Sequence, residues 1–182
     1  MARSLKIGIS GTLGLGKTET LKRIIDMLDE EGISVGGMLT DPIFEDNRQV
    51  GFQVMDWQTK EKAVFAHLYI NTSLNVDGYN VDLDAIEQVG VKAIERACIE
   101  EDVVLVDEAS KMMVKSDEFN HTVKKALDMD KPVILTFHKK SRNPLLQDVR
   151  RRDDIRILEL TEINKELLPY KVVELIKGEI TS

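Results

Sequence analysis

Two hydrophobic rhythms alternate along this chain, and their order predicts most of an architecture. Apolar residues crowd 5–9, and then Leu21, Ile24, Ile25 and Leu28 recur at i, i+3, i+4 and i+7, the spacing of one helix face. A short strand over 5–10 running directly into a glycine loop and then a helix is expected, with Gly32 as the left-handed residue that ends the helix. A strand over 33–40 follows, stopped by Asp41-Pro42. Val50, Phe52 and Val54 alternate with Gly51, Gln53 and Met55, which predicts a strand ending near Trp57. Asp46-Asn47-Arg48 and 58–61 read as turns and 62–67 as a further strand, so 40–68 is expected to form a small antiparallel β insertion.

The stretch 69–81 is polar and reads as a loop, with Asp77-Gly78 as a turn. From Leu83 the helical spacing returns through Ile86, Val89, Ala93, Ile94 and Ala97. Val103-Val104-Leu105-Val106 is a continuous apolar run, as a strand buried on both faces requires. Ser116 suits the cap of a helix carrying Phe119, Val123, Ala126 and Leu127. The run 133–137 predicts a strand, and Pro144 opens a short helix through Val149. The last strand is expected at 155–160 and a terminal helix within 164–177. Alternation of strand and helix implies an α/β fold: a mainly parallel central sheet flanked by helices, in a single domain over 1–182.

Composition narrows the setting. With 182 residues the chain can build one sizeable core but not two comfortable domains. No segment is apolar for long enough to cross a bilayer, and the apolar stretch near the N-terminus is broken by glycines, unlike a signal peptide. Cys98 stands alone, so there is no internal disulfide and no Cys/His zinc cluster, and a cytoplasmic setting is expected. A net charge of −7 argues against a broad nucleic-acid surface. A monomer is expected.

Candidate chemistry begins where the first strand meets the first helix. Gly11-Thr12-Leu13-Gly14-Leu15-Gly16-Lys17-Thr18 spells G-x-x-x-x-G-K-S/T, the loop that wraps a polyphosphate with inward-facing backbone N–H groups. Lys17 is expected to reach the β- and γ-phosphates and the Thr18 hydroxyl to ligate Mg²⁺, with Glu19 in the first helical turn beside them. Asp107-Glu108 follow the apolar strand at once. Asp107 is the expected second Mg²⁺ ligand, and Glu108 is placed to deprotonate a water attacking the γ-phosphate. Phosphoryl transfer also gains from a supplied arginine. Arg150, Arg151 and Arg152 are the candidates and Arg152 the favoured one. His138, at the end of its strand, reads either as a hydrogen-bond sensor of the γ-phosphate or as a structural residue. Asn164-Lys165 lacks the carboxylate two residues on that guanine recognition uses, since position 167 is Leu.

Together these residues resemble one family, the THEP-type or cancer-related nucleoside-triphosphatases. Beyond the glycine loop the likeness takes in Gly36-Gly37-Met38-Leu39-Thr40, Val50-Gly51-Phe52, Asp77-Gly78-Tyr79-Asn80-Val81, Val106-Asp107-Glu108-Ala109-Ser110-Lys111-Met112, 148–153 and Thr161-Glu162-Ile163-Asn164. The resemblance implies a RecA-like domain that hydrolyses ATP, GTP and other nucleoside triphosphates slowly, with Mg²⁺ and broad base tolerance. It also implies that Lys111 and Asn164 lie near the nucleotide. Members usually carry Thr-x-Glu-x-Arg where this chain has Thr40-Asp41-Pro42-Ile43-Phe44, and Asn-Arg where it has Asn164-Lys165. They also usually read Ile-Gly-Lys-Met-Glu where it has Ala109-Ser110-Lys111-Met112-Met113. The same loop also serves small kinases that phosphorylate a nucleotide or other hydroxyl acceptor, and binding modules whose hydrolysis is vestigial.

Overall fold

The computed structural model describes residues 4–12 and 14–181. β1 (Lys6–Gly11) leads through the glycine loop into α1 (Lys17–Glu30), which buries Leu21, Ile24, Ile25 and Leu28. Gly32, at φ +74°, ends that helix as expected: its N–H donates to the Asp29 carbonyl (2.9 Å) and the Ile33 N–H to the Leu28 carbonyl (3.0 Å). Those two bonds satisfy carbonyls that a helix end otherwise leaves open.

Five strands follow: β2 (Val35–Glu45), β3 (Arg48–Asp56), β4 (Lys62–His67), β5 (Leu74–Val76) and β6 (Tyr79–Val81). Next come α2 (Leu83–Ala85), a π-helical stretch Ile86–Val91 and α3 (Lys92–Glu100), which run on without a break. The wider π turn shifts the phase of the rod, so Val89, Val91, Ala93 and Ile94 are all buried. The remaining elements alternate: β7 (Val103–Val106), α4 (Asp117–Asp128), β8 (Val133–His138), α5 (Pro144–Arg150), β9 (Ile155–Glu159) and α6 (Leu168–Ile180). Ser116 caps α4 by accepting from the Phe119 N–H (3.1 Å), and Asn143 caps α5 by accepting from the Leu146 N–H (2.9 Å).

Among the described residues the strands form one nine-stranded sheet in the order β5-β6-β4-β3-β2-β7-β8-β1-β9. From β2 to β9 the pairings are parallel, and from β2 to β5 they are antiparallel. The sheet is therefore mixed rather than mainly parallel, and the antiparallel strands prolong it instead of forming a small insertion. Two local causes explain the difference. Pro42 does not stop β2, because β7 pairs only with Val35–Met38 and the later part of β2 has β3 on one side alone. An edge position tolerates the missing N–H. Within 69–81, β5 and β6 form a hairpin closed by Asp77 (φ +52°) and Gly78 (φ +89°), the two-residue turn that suits twisted strands. The terminal helix also starts later than expected, at Leu168, because 161–167 is a separate turn.

Strand alternation splits the core into two layers. Val104, Val106, Leu135 and Phe137 pack with α3, α4 and α5, whereas Ile7, Ile9, Val103, Leu105 and Ile134 pack with α1 and α6. The C-terminal ends of β1, β7 and β8 consequently meet beside the start of α1. No helix among the described residues is long and apolar enough to cross a membrane.

Candidate active site

The glycine loop is bent by backbone torsions that only glycine adopts freely. Gly14 and Gly16 both lie at φ +81°. Lys17 begins α1 and is 8% exposed; its Nζ donates to the carbonyls of Gly11 and Thr12, each at 3.3 Å, and lies 3.4 Å from Glu108 Oε2. Leu13 falls outside the described residues. Leu15 is half-buried against the α1/α6 layer, while Thr12 and Glu19 are exposed, Glu19 within 3.5 Å of Lys22.

β7 delivers the acids. The Asp107 N–H donates to the Met38 carbonyl of β2 and the Ala109 N–H to the Thr136 carbonyl of β8, both at 3.0 Å, so the chain leaving β7 stays pinned between its neighbours. The Thr18 hydroxyl donates to Asp107 Oδ2 (2.7 Å) and the Thr136 hydroxyl to Asp107 Oδ1 (2.5 Å). Asp107 is 1% exposed. Burial pushes its carboxyl up from 3.8 to about 6; the Thr136 and Thr18 hydroxyls pull it back and the Glu108 charge pushes the same way as burial. Two hard oxygen donors, Thr18 Oγ1 and Asp107 Oδ2, thus sit together on a buried anionic group that no basic side chain neutralises among the described residues. That donor set fits a small divalent cation, which is commonly held by one carboxylate, a hydroxyl and substrate phosphates. Thr136 escaped the sequence reading, although a hydroxyl inside the apolar run 133–137 is a visible irregularity.

Beyond Gly14 and Gly16 opens a cleft of 380 Å³, walled by Glu19 and Arg23 of α1 and by Lys165 and Glu166. Arg23 donates to Glu166 (3.0 Å) and lies 5.3 Å above the Tyr170 ring. Asn164, next to Lys165 in the chain, is not one of the lining residues: its Oδ1 accepts from the Thr161 N–H (2.8 Å) and its Nδ2 donates to the Glu159 carbonyl (2.7 Å). It does not cap α6. Lys111, 66% exposed, pairs with Asp77 of the β5–β6 turn at 3.2 Å. A smaller hollow of 160 Å³ lies along α1 between Ile25, Ile33 and Trp57.

Arg152 is the expectation that fails. It lies at the other end of the sheet, beside Asp154, whose carbonyl accepts from the Lys6 N–H at the start of β1. Its guanidinium grips the Asp154 carboxylate through Nε and Nη2 (both 2.8 Å), reaches Asp128 (2.8 Å) and donates to the Leu127 carbonyl (2.6 Å). The chain from α5 to β9 carries Arg152 away from the strand ends where the glycine loop sits. This is a structural clamp tying α4 to β9. Removing it strands a carboxylate that is 10% exposed, so Arg152→Ala should lower folding stability by about 3 kcal/mol at neutral pH. The clamp holds the Asp154 carboxyl below its usual range. A depressed carboxyl stabilises above its unfolded value and loses that contribution as pH falls through the folded one. Denaturant melts should therefore show parent and variant converging in acid, while kcat per folded molecule is unchanged.

A family model described as NTPase matches residues 6–173. Nucleoside-triphosphatase THEP1 of Picrophilus torridus is 37% identical over 175 residues, covering 96% of this chain and 97% of that protein. Nucleoside-triphosphatase THEP1 of Thermoplasma volcanium is 34% identical over 176 residues, covering 97% and 99%. The crystal structure of THEP1 from Aquifex aeolicus superposes with a TM-score of 0.84 at 25% identity, covering 95% of this chain and 99% of that one.

Proposed function

The chain belongs to the NTPase family, and on that premise we propose that it hydrolyses nucleoside triphosphates to diphosphate and phosphate, using Mg²⁺ and tolerating several bases. The observation that carries this reading is the meeting of two pairs at one strand end: Thr18 with Asp107 (2.7 Å) and Lys17 with Glu108 (3.4 Å). The order β2-β7-β8-β1-β9, with a single strand between the loop strand and the acid strand, supports a RecA-like assignment.

In this reading the amides of 11–18 and the Lys17 ammonium bind the triphosphate. Lys17 exchanges its bonds to the Gly11 and Thr12 carbonyls for phosphate oxygens. Thr18 and Asp107 would hold Mg²⁺, which when bound neutralises phosphate charge. Glu108 orients a water and accepts its proton as the water oxygen bonds to the γ-phosphorus. The bond from that phosphorus to the β–γ bridging oxygen breaks, and the diphosphate leaves with the electron pair.

The cleft beyond Gly14 is the place for ribose and base. Its walls are exposed charged side chains, with Glu166 75% and Arg23 40% exposed. A site without fixed, buried hydrogen-bonding partners discriminates weakly among bases. Phosphate release from ATP, GTP, CTP and UTP, with Mg²⁺ and with EDTA, tests the proposal. Turnover of all four within about tenfold, abolished by chelation, is expected. Transfer of the phosphoryl group to an added hydroxyl acceptor in place of water would overturn it.

A further inference from the structure

His138 closes β8 in register with Gly11 of β1. Its neighbour Phe137 turns into the layer of α3, α4 and α5, so alternation sends Thr136 and His138 out of the opposite face. On that face Thr136 meets Asp107, and the Lys17 stem lies 3.4 Å from where a Cβ on Gly11 would stand. The imidazole is thereby placed at the loop end of the sheet, one strand from Lys17 and one strand from the chain that carries Glu108.

Its chemistry is set by the turn that follows. The Lys140 N–H donates to His138 Nδ1 at 3.1 Å. With Nδ1 engaged as an acceptor, the neutral ring carries its proton on Nε2. That N–H has no protein acceptor among the described residues. A half-buried donor in a fixed tautomer is thus presented where the glycine loop begins.

We propose that His138 Nε2–H donates to a γ-phosphoryl oxygen and is a catalytic residue of the hydrolysis, a role that rests on the function proposed above. Negative charge spreads over the three equatorial oxygens of the transferring group. Donors already aimed at those oxygens lower the barrier without rearranging. The loop amides and Lys17 reach the phosphates from the β1 side, Arg152 is at the far end of the sheet, and Lys139 is tied to Glu159 at 2.6 Å. His138 supplies the contact from the β8 side.

Two substitutions separate this role from a structural one. His138→Asn keeps an acceptor at the Nδ1 position for the Lys140 N–H but has no donor at Nε2. His138→Gln places an amide N–H near Nε2. His138→Asn should lower kcat and the capture of ADP with aluminium fluoride about 10²-fold, with Mg·ADP affinity unchanged within about twofold. His138→Gln should stay within about tenfold of the parent in both. Calorimetry adds a readout independent of turnover: the preference for Mg·AMP-PNP over Mg·ADP should fall in the Asn variant and persist in the Gln variant. Parental kcat in His138→Asn, or equal losses in the two variants, would overturn the proposal. If the parent releases no phosphate from any triphosphate, the hydrolase reading fails, and the AMP-PNP to ADP preference still decides the contact.

Discussion

Glu108→Gln is expected to bind Mg·ATP as tightly as the parent and to hydrolyse it at least about 10²-fold more slowly. The amide preserves the size of the side chain and the contact with Lys17, now 3.4 Å from Oε2. It cannot accept a proton from water. Because the carboxylate is 21% exposed, the exchange costs little stability, and the loss should appear in kcat rather than KM. Single-turnover assays with enzyme in excess check this directly. A variant with parental kcat would remove Glu108 from the mechanism while leaving the phosphate loop untouched.

Asp107→Asn has an effect in each direction. It removes a cation ligand, so Mg²⁺-dependent turnover should be lost. In the ligand-free protein it should raise stability at pH 7.5. The Asp107 carboxyl is pushed from 3.8 to about 6, which corresponds to about 3 kcal/mol against the ionised folded state at neutral pH. A group raised on folding stabilises most below its unfolded value, and that contribution disappears as pH climbs through the folded value. The advantage of the Asn variant should therefore vanish near pH 4 and grow to its full size above about pH 6. Asn can still bond the Thr18 and Thr136 hydroxyls, its amide N–H groups donating on the side its oxygen does not occupy. Chemical denaturation in EDTA at the two pH values measures the difference. Equal stability at both would mean that the buried charge is compensated by something other than a bound cation.

Much of this architecture is legible in the chain because local signals agree with the final contacts. The spacing of Leu21, Ile24, Ile25 and Leu28, the stop at Gly32, the cap at Ser116 and the helix start at Pro144 all recur in the structure. The sheet was less legible for physical reasons. Pro42 forbids a central strand but not an edge, and edge status depends on where β7 ends, which no local pattern records. β5 and β6 contain three residues each, too few to show alternation, although Asp77-Gly78 is a strong hairpin signal.

The site divides in the same way. Lys17, Thr18, Asp107 and Glu108 converge because a contiguous motif and the end of an apolar strand each carry their own geometry. Arg152 lies in a run of three arginines, and only the path from α5 into β9 shows that it faces Asp154. Thr136 owes its place to β8 lying between β1 and β7, a matter of strand order.

The central claim is that the 11–18 loop, through Lys17, grips a triphosphate with a divalent ion. Calorimetric titration of Mg·AMP-PNP into the parent and into Lys17→Ala tests it most directly. The account predicts saturable binding to the parent and a loss of at least about 10²-fold in the variant, because a charge-assisted contact to two phosphates is removed. Absence of binding to the parent, or equal Kd values for the two proteins, would contradict it.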